Sequence, residues 1–273
     1  MAQFDLDAWV ARSGAIDLDA IAWIDVANYP VSPGTVRTLT YMQDVESHTI
    51  VYLRSLLSTR AIDDPEVATF LACWVYEETI HGLALARFLE AAGHPLPPRA
   101  TPHGQEPFVK RLEAWATSTL SKMWSDFCAV HMTWGAINEL TALTTYLRLK
   151  TVAGHPVLDD LLERIMRDES RHFFFYYRQA DTRLRRPGAA RAARLLVDRF
   201  WSPVGSGVGP ADDLTLIARY LFAGEEGRAA ARRIDETVRK LPGFADVQLL
   251  EAWMDRQVGP AGLKGGRNGH GHH

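Results

Sequence analysis

Cysteine is almost missing from the 273 residues: only Cys73 and Cys128 occur, both in apolar surroundings. A disulfide framework is therefore excluded, and the pair reads as reduced core residues of a cytoplasmic protein. Long hydrophobic runs are also missing, since no stretch of about 18 apolar residues suggests a membrane span. Met1 to Asp7 lacks the basic start and apolar core of a secretory signal. Charge of one sign is not in excess either, with a formal net charge of −3 and a pI near 6.4. Without a global basic field, nucleic-acid binding has nothing to recommend it. What is present is a 47% hydrophobic composition, enough for a substantial core. A single domain is expected over residues 1–262, followed by a disordered Gly- and His-rich tail over 263–273. The histidines of that tail are set aside.

Proline is scarce where it matters. It is nearly forbidden in a helix interior, so proline-free stretches map long helices. Four lie between Pro33 and Pro65, Pro65 and Pro95, Pro107 and Pro156, and Pro156 and Pro187, all rich in Leu, Ala, Glu and Arg. Apolar residues recur in them at helical spacing, as in Leu71, Trp74 and Val75 followed by Leu83, Leu85 and Phe88. Short links near residues 63 and 154 demand antiparallel hairpins. The segment Gly93 to Pro107, dense in Gly and Pro, reads as a crossover between them. The expectation is an all-α four-helix bundle over about 34–186. Accessory helices are expected over about 188–258, roughly at Gly188–Trp201, Ala211–Phe222, Glu225–Leu241 and Val247–Val258.

Two Glu-x-x-His elements lie in these helices, Glu78 to His81 and Glu169 to His172. Chance alone supplies roughly half of one such spacing in a chain of this composition, so the placement carries the information. Positions i and i+3 share a helix face, so each Glu and His can reach one centre. Glu46 and Glu78 stand almost level relative to the first turn, and Glu139 and Glu169 stand level relative to the second. All four lie roughly 23–26 Å from their turns at about 1.5 Å per residue. Four carboxylates and two imidazoles thus reach one layer. Burying that charge without cations costs several kcal/mol per ion, so two divalent or trivalent metals are expected. This donor set suits iron or manganese better than zinc or copper. Glu77 and Asp168 each precede a motif Glu, and they are expected to orient His172 and His81, respectively, from across the bundle.

At these residues the chain resembles the ferritin-like superfamily, most closely the soluble acyl-carrier-protein desaturases. Their paired Glu-Glu-x-x-His and Asp-Glu-x-Arg-His elements have counterparts in Glu77-Glu78-Thr79-Ile80-His81 and Asp168-Glu169-Ser170-Arg171-His172. The similarity runs from about Arg37 to Arg183. It implies a ferritin-like bundle whose two iron ions, or iron and manganese, activate dioxygen. It further implies removal of hydrogens from an unactivated C–H pair of an acyl chain in fatty acid metabolism. An acyl carrier protein or other apolar substrate and a ferredoxin-like electron donor are the implied partners. The chain departs from that family in having no arginine before His81 and in placing Ala142 where the family often has threonine. It departs from arylamine N-oxygenases at Ile165 and from ribonucleotide reductase radical subunits at Leu85. A monooxygenase or N-oxygenase on a small substrate, and an iron-handling protein of the ferritin or rubrerythrin kind, are the competing expectations.

Gly135 and Ala136 share the face of Glu139, so together with Ala142 they suggest either a void beside the metals or close helix packing. Phe173 to Tyr177 covers every side of its helix, which suggests broad burial and a homodimer. Arg183, Arg185, Arg186, Arg191 and Arg194 form a basic cluster where an acidic carrier could dock, or an ordinary solvated face.

Overall fold

Proline opens the helices, as its fixed φ and missing N–H favour at a first turn. The computed structural model describes residues 5–57, 60–97, 127–203, 206 and 211–262. Its four long helices are α2 (Pro33–Leu57), α3 (Pro65–Ala91), α4 (Phe127–Ala153) and α5 (Pro156–Leu184). A short α1 (Leu6–Val10) precedes them. Shorter helices follow: α6 (Pro187–Phe200), α7 (Ala211–Phe222), α8 (Gly224–Val238) and α9 (Leu250–Gly262). Among the described residues there is no strand. No helix there is long and apolar enough to cross a membrane.

Local chemistry sets the helix starts. Asp64 accepts from the N–H groups of Glu66 and Val67, satisfying donors that α3 itself leaves free. Gly154 takes a φ of +56°, the left-handed value that ends α4, and His155 then caps α5 through Leu158 N–H. The opposite ring nitrogen of His155 meets the carbonyl of Val26, which anchors the N-terminal segment to this turn.

The most extensive packing is within the pairs α2–α3 and α4–α5. Helix α2 also packs on α4, and α3 on α5, closing a four-helix bundle. The crossover expected from Gly93 onward falls largely at 98–126, outside the described residues, as does the tail 263–273.

Helices α6, α7 and α8 all pack on α4, so α4 is covered on several sides and carries apolar residues nearly all round. Helix α7 docks on the start of α2, where Tyr220 Oη lies 2.8 Å from both Ser32 Oγ and Thr35 Oγ1. Asp235 of α8 accepts from the N–H groups of Leu249, Leu250 and Glu251. It thereby fixes the start of α9 at Leu250, a little later than apolar periodicity alone suggests.

The bundle interior divides into two apolar halves. One surrounds Phe88, Tyr146, Leu149, Leu158 and Leu162 near the Gly154 turn. The other surrounds Phe70, Trp74, Met132, Phe175 and Tyr176 toward the Asp64 turn. Each fully buried large side chain stabilises by roughly 1.5–3 kcal/mol, and the polar layer is held between them. Phe174 corrects the expectation of burial all round its helix: it is 59% exposed, because its side turns away from α3 and α4.

Gly135 settles into close packing. A Cβ there would come within 2.4 Å of the Tyr176 ring, so the space beside Gly135 is filled. Ala136 and Ala142 are buried in the two apolar halves. Replacing Gly135 by Ala should lower stability by roughly 1–3 kcal/mol through overpacking, read as a drop in the thermal midpoint. An unchanged midpoint would mean that the ring can step aside freely.

Candidate metal centre

All six expected ligands are buried and meet in one layer. Glu46 comes from α2, Glu78 and His81 from α3, Glu139 from α4, and Glu169 and His172 from α5. Their donor atoms form two overlapping groups, Glu46, Glu78, His81 and Glu169, and Glu78, Glu139, Glu169 and His172. Within each group the atoms lie within 4.8 Å of one another. Glu78 and Glu169 belong to both, so the two groups share two carboxylates.

Several of the inward atoms have no hydrogen-bond partner among the described residues. Glu46 Oε2, Glu78 Oε1, Glu169 Oε1 and the Nδ1 atoms of His81 and His172 are buried and unsatisfied. Such atoms are rare in folded proteins because each forfeits its hydration. His81 Nδ1 stands 3.2 Å from Glu169 Oε1, and His172 Nδ1 stands 3.1 Å from Glu78 Oε1, without hydrogen-bond alignment. Cations between these atoms would satisfy them, and four carboxylates match the charge of two divalent ions. The residues fit that cargo. Three carboxylates and one imidazole per ion is a hard, oxygen-rich set, which favours iron or manganese over a thiolate-loving metal.

Protons reveal the same charge problem. Burial raises Glu46 well above the usual carboxylate range, with Glu78 and Glu169 adding repulsion. Burial and the charge of Glu169 raise Glu78 to about 7. Burial raises Glu139 to about 8 despite the nearby His172. Glu169 is pushed up by burial too, but His172 and His81 outweigh this and hold it well below its ordinary value. Burial opposes the charge of both imidazoles, yet Asp168 and Glu169 raise His81 to about 9. His172 is raised well above its ordinary value by Glu139, Glu169 and Glu77.

The outer ring nitrogens are engaged across the bundle. His172 Nε2 lies 2.7 Å from Glu77 Oε2, and His81 Nε2 lies 3.2 Å from Asp168 Oδ2. These contacts leave each Nδ1 to face the ligand layer, which fixes ring orientation and strengthens the nitrogen as a donor. Arg171 joins the two acids, donating from Nη2 to Glu77 Oε1 at 2.7 Å and to Asp168 Oδ1 at 2.5 Å. Its guanidinium lies over the Trp9 ring, 5.0 Å from the centroid. Gly14 N–H donates to Glu77 Oε1 at 3.0 Å, so the N-terminal segment closes one side of the layer.

Sequence reasoning missed several of these groups. Arg171 was visible inside the second motif, but its reach to both acids depends on the bundle geometry. Trp74 donates from Nε1 to Glu139 Oε1 at 3.0 Å, and Tyr146 donates to Glu46 Oε1. Each lies on its own helix at core spacing, where nothing separates a packing aromatic from a hydrogen-bond donor. Gly14 acts through its backbone and leaves no motif.

A small apolar recess, partly open to solvent, lies between α2, α4, α7 and α9. Met42, Thr145, Leu214, Ile217, Phe222 and Met254 are among its walls. Met42 is one turn from Glu46 on the same helix face. Gly135, Ala136 and Ala142 do not line this pocket. The basic cluster is largely self-neutralised: Arg183 pairs with Asp64, Arg185 with Asp181, and Arg194 with Asp198 and Asp246.

Stability should report on the charge problem. Glu78, Glu139 and His81 bind protons more tightly folded than unfolded. Their contribution is full below the unfolded values and is lost as pH rises through about 7, 8 and 9, respectively. Metal-free protein should therefore lose thermal stability across that interval. Cations bind the deprotonated ligands, so the gain in thermal midpoint with excess manganese(II) over chelator should widen as pH rises. A gap independent of pH would contradict this account.

No family model, curated protein or solved structure matches this chain. Its helical bundle and buried carboxylate–histidine cluster are compatible with a ferritin-like fold and with a two-metal site.

Proposed function

We propose that the chain is a non-haem oxidoreductase that uses two iron ions, or iron and manganese, to activate dioxygen. Its substrate is an unactivated C–H bond of an acyl or similarly apolar molecule, as the desaturase-like motifs imply. The observation that carries this reading is the pair of donor groups sharing Glu78 and Glu169. Two such ions supply the redox chemistry by which dioxygen is reduced and a C–H bond is oxidised.

The chain's own residues do the rest. Glu46, Glu78, Glu139, Glu169, His81 and His172 hold the ions at one level. Glu77, Asp168 and Arg171 keep both imidazoles turned inward. The apolar halves on either side exclude water from the layer, which strengthens every charge interaction within it. In this scheme the small apolar recess beside Met42, one turn from Glu46, marks the side from which an apolar substrate approaches. A ferredoxin-like protein is the electron donor in this scheme, and an acyl carrier protein presents the substrate. A carrier docking on the arginines of α5 and α6 has to compete with the acids already paired to them.

Reduced, iron-loaded protein incubated with acyl carriers should consume dioxygen and give a product lacking two hydrogens, read by mass spectrometry. Hydroxylated product would move the assignment to a monooxygenase. Iron uptake beyond two ions per chain with no organic oxidation would point to iron handling instead. Absence of dioxygen uptake in protein carrying both ions would reject the oxidoreductase reading.

A further inference from the structure

The two carboxylates that are not shared are held differently, and so are the imidazoles beside them. Glu139 Oε1 accepts from Trp74 Nε1, leaving Oε2 3.7 Å from His172 Nδ1. Glu46 Oε1 accepts from Tyr146 Oη, leaving the unpartnered Oε2 3.9 Å from His81 Nδ1. Each aromatic donor thus occupies one oxygen and leaves the other to a cation. The donors differ in freedom. An indole N–H points only where its ring points, and the Trp74 ring is packed, tilted 18° to Phe70 and edge-on to Tyr176. A phenol O–H turns about its C–O bond and can also accept, so at Glu46 the direction of the donor is adjustable although the Tyr146 ring itself is fully buried.

The imidazole supports differ in the same sense. Glu77 is fully buried, meets His172 Nε2 at 2.7 Å, and is braced by Arg171 and Gly14 N–H. Asp168 meets His81 Nε2 at the longer 3.2 Å, its side chain is 15% exposed, and among the described residues Arg171 braces it. Ligands already held in place lose less freedom when a cation arrives, so they bind it more tightly.

We infer that the two metal positions are unequal: the one framed by Glu139 and His172 fills first, with Trp74 and Glu77 as its positioning residues. The one framed by Glu46 and His81 fills second, positioned by Tyr146. This rests on the two-metal reading above and adds an order of loading to it. It also places the more adaptable ligand, Glu46, on the side of the Met42 pocket.

Anaerobic titration of the full-length protein with manganese(II), followed by electron paramagnetic resonance, tests it. The first equivalent should give the signal of an isolated ion and the second a coupled pair, with affinities at least about 10-fold apart. Tyr146→Phe should weaken the second step by about 10–100-fold and leave the first unchanged. Trp74→Phe should weaken the first step by a similar factor, and Glu77→Gln should do so should Trp74→Phe not fold. Circular dichroism shows that each variant retains its helices. Equal affinities in the native protein, or Tyr146→Phe weakening the first step, would overturn the order. Native protein that binds no manganese or iron would instead remove the two-metal reading itself.

Discussion

Repulsion among four buried carboxylates is the constraint around which this bundle is built. Glu46, Glu78, Glu139 and Glu169 sit buried between two apolar halves, where solvent screens them far less than it would a surface cluster. Burial and mutual repulsion favour protons on Glu46, Glu78 and Glu139, and the surrounding carboxylates favour protons on both imidazoles. Two metal ions would replace those protons. The surrounding apolar packing supplies the free energy to keep such a layer closed, and the paired outer acids keep its histidines correctly turned.

Much of this architecture could be read from spacing alone. Prolines at 33, 65, 156 and 187 bracket helices because the residue suits a first turn and no interior position. The level placement of Glu46, Glu78, Glu139 and Glu169 follows from counting outward from two turns, since helix rise is constant. The proximity of Glu77 to His172 and of Asp168 to His81 follows from the same count, because each acid precedes the Glu of its motif.

Less was legible where side chains act by direction instead of spacing. Tyr146 lies two turns beyond Glu139 on α4 yet touches Glu46 on α2, and only the packing of α2 on α4 creates that contact. Gly135 looked equally like a gap or a point of close approach, and the Tyr176 ring decides the matter. Phe174 belongs to an unbroken aromatic run but faces outward, because a five-residue run exceeds the arc that the bundle covers. The arginines near the end of α5 read as a basic cluster, but their acidic partners come from residues as distant in sequence as Asp64 and Asp246.

The contact from Gly14 to Glu77 has an evolutionary corollary. Since a backbone amide makes it, any residue except proline at position 14 supplies the same donor, provided the chain follows the same route. Selection on that bond would act on the path of the N-terminal segment and leave the letters free to drift. Alignments of related chains would then show little there, even though the segment touches the carboxylate that orients His172.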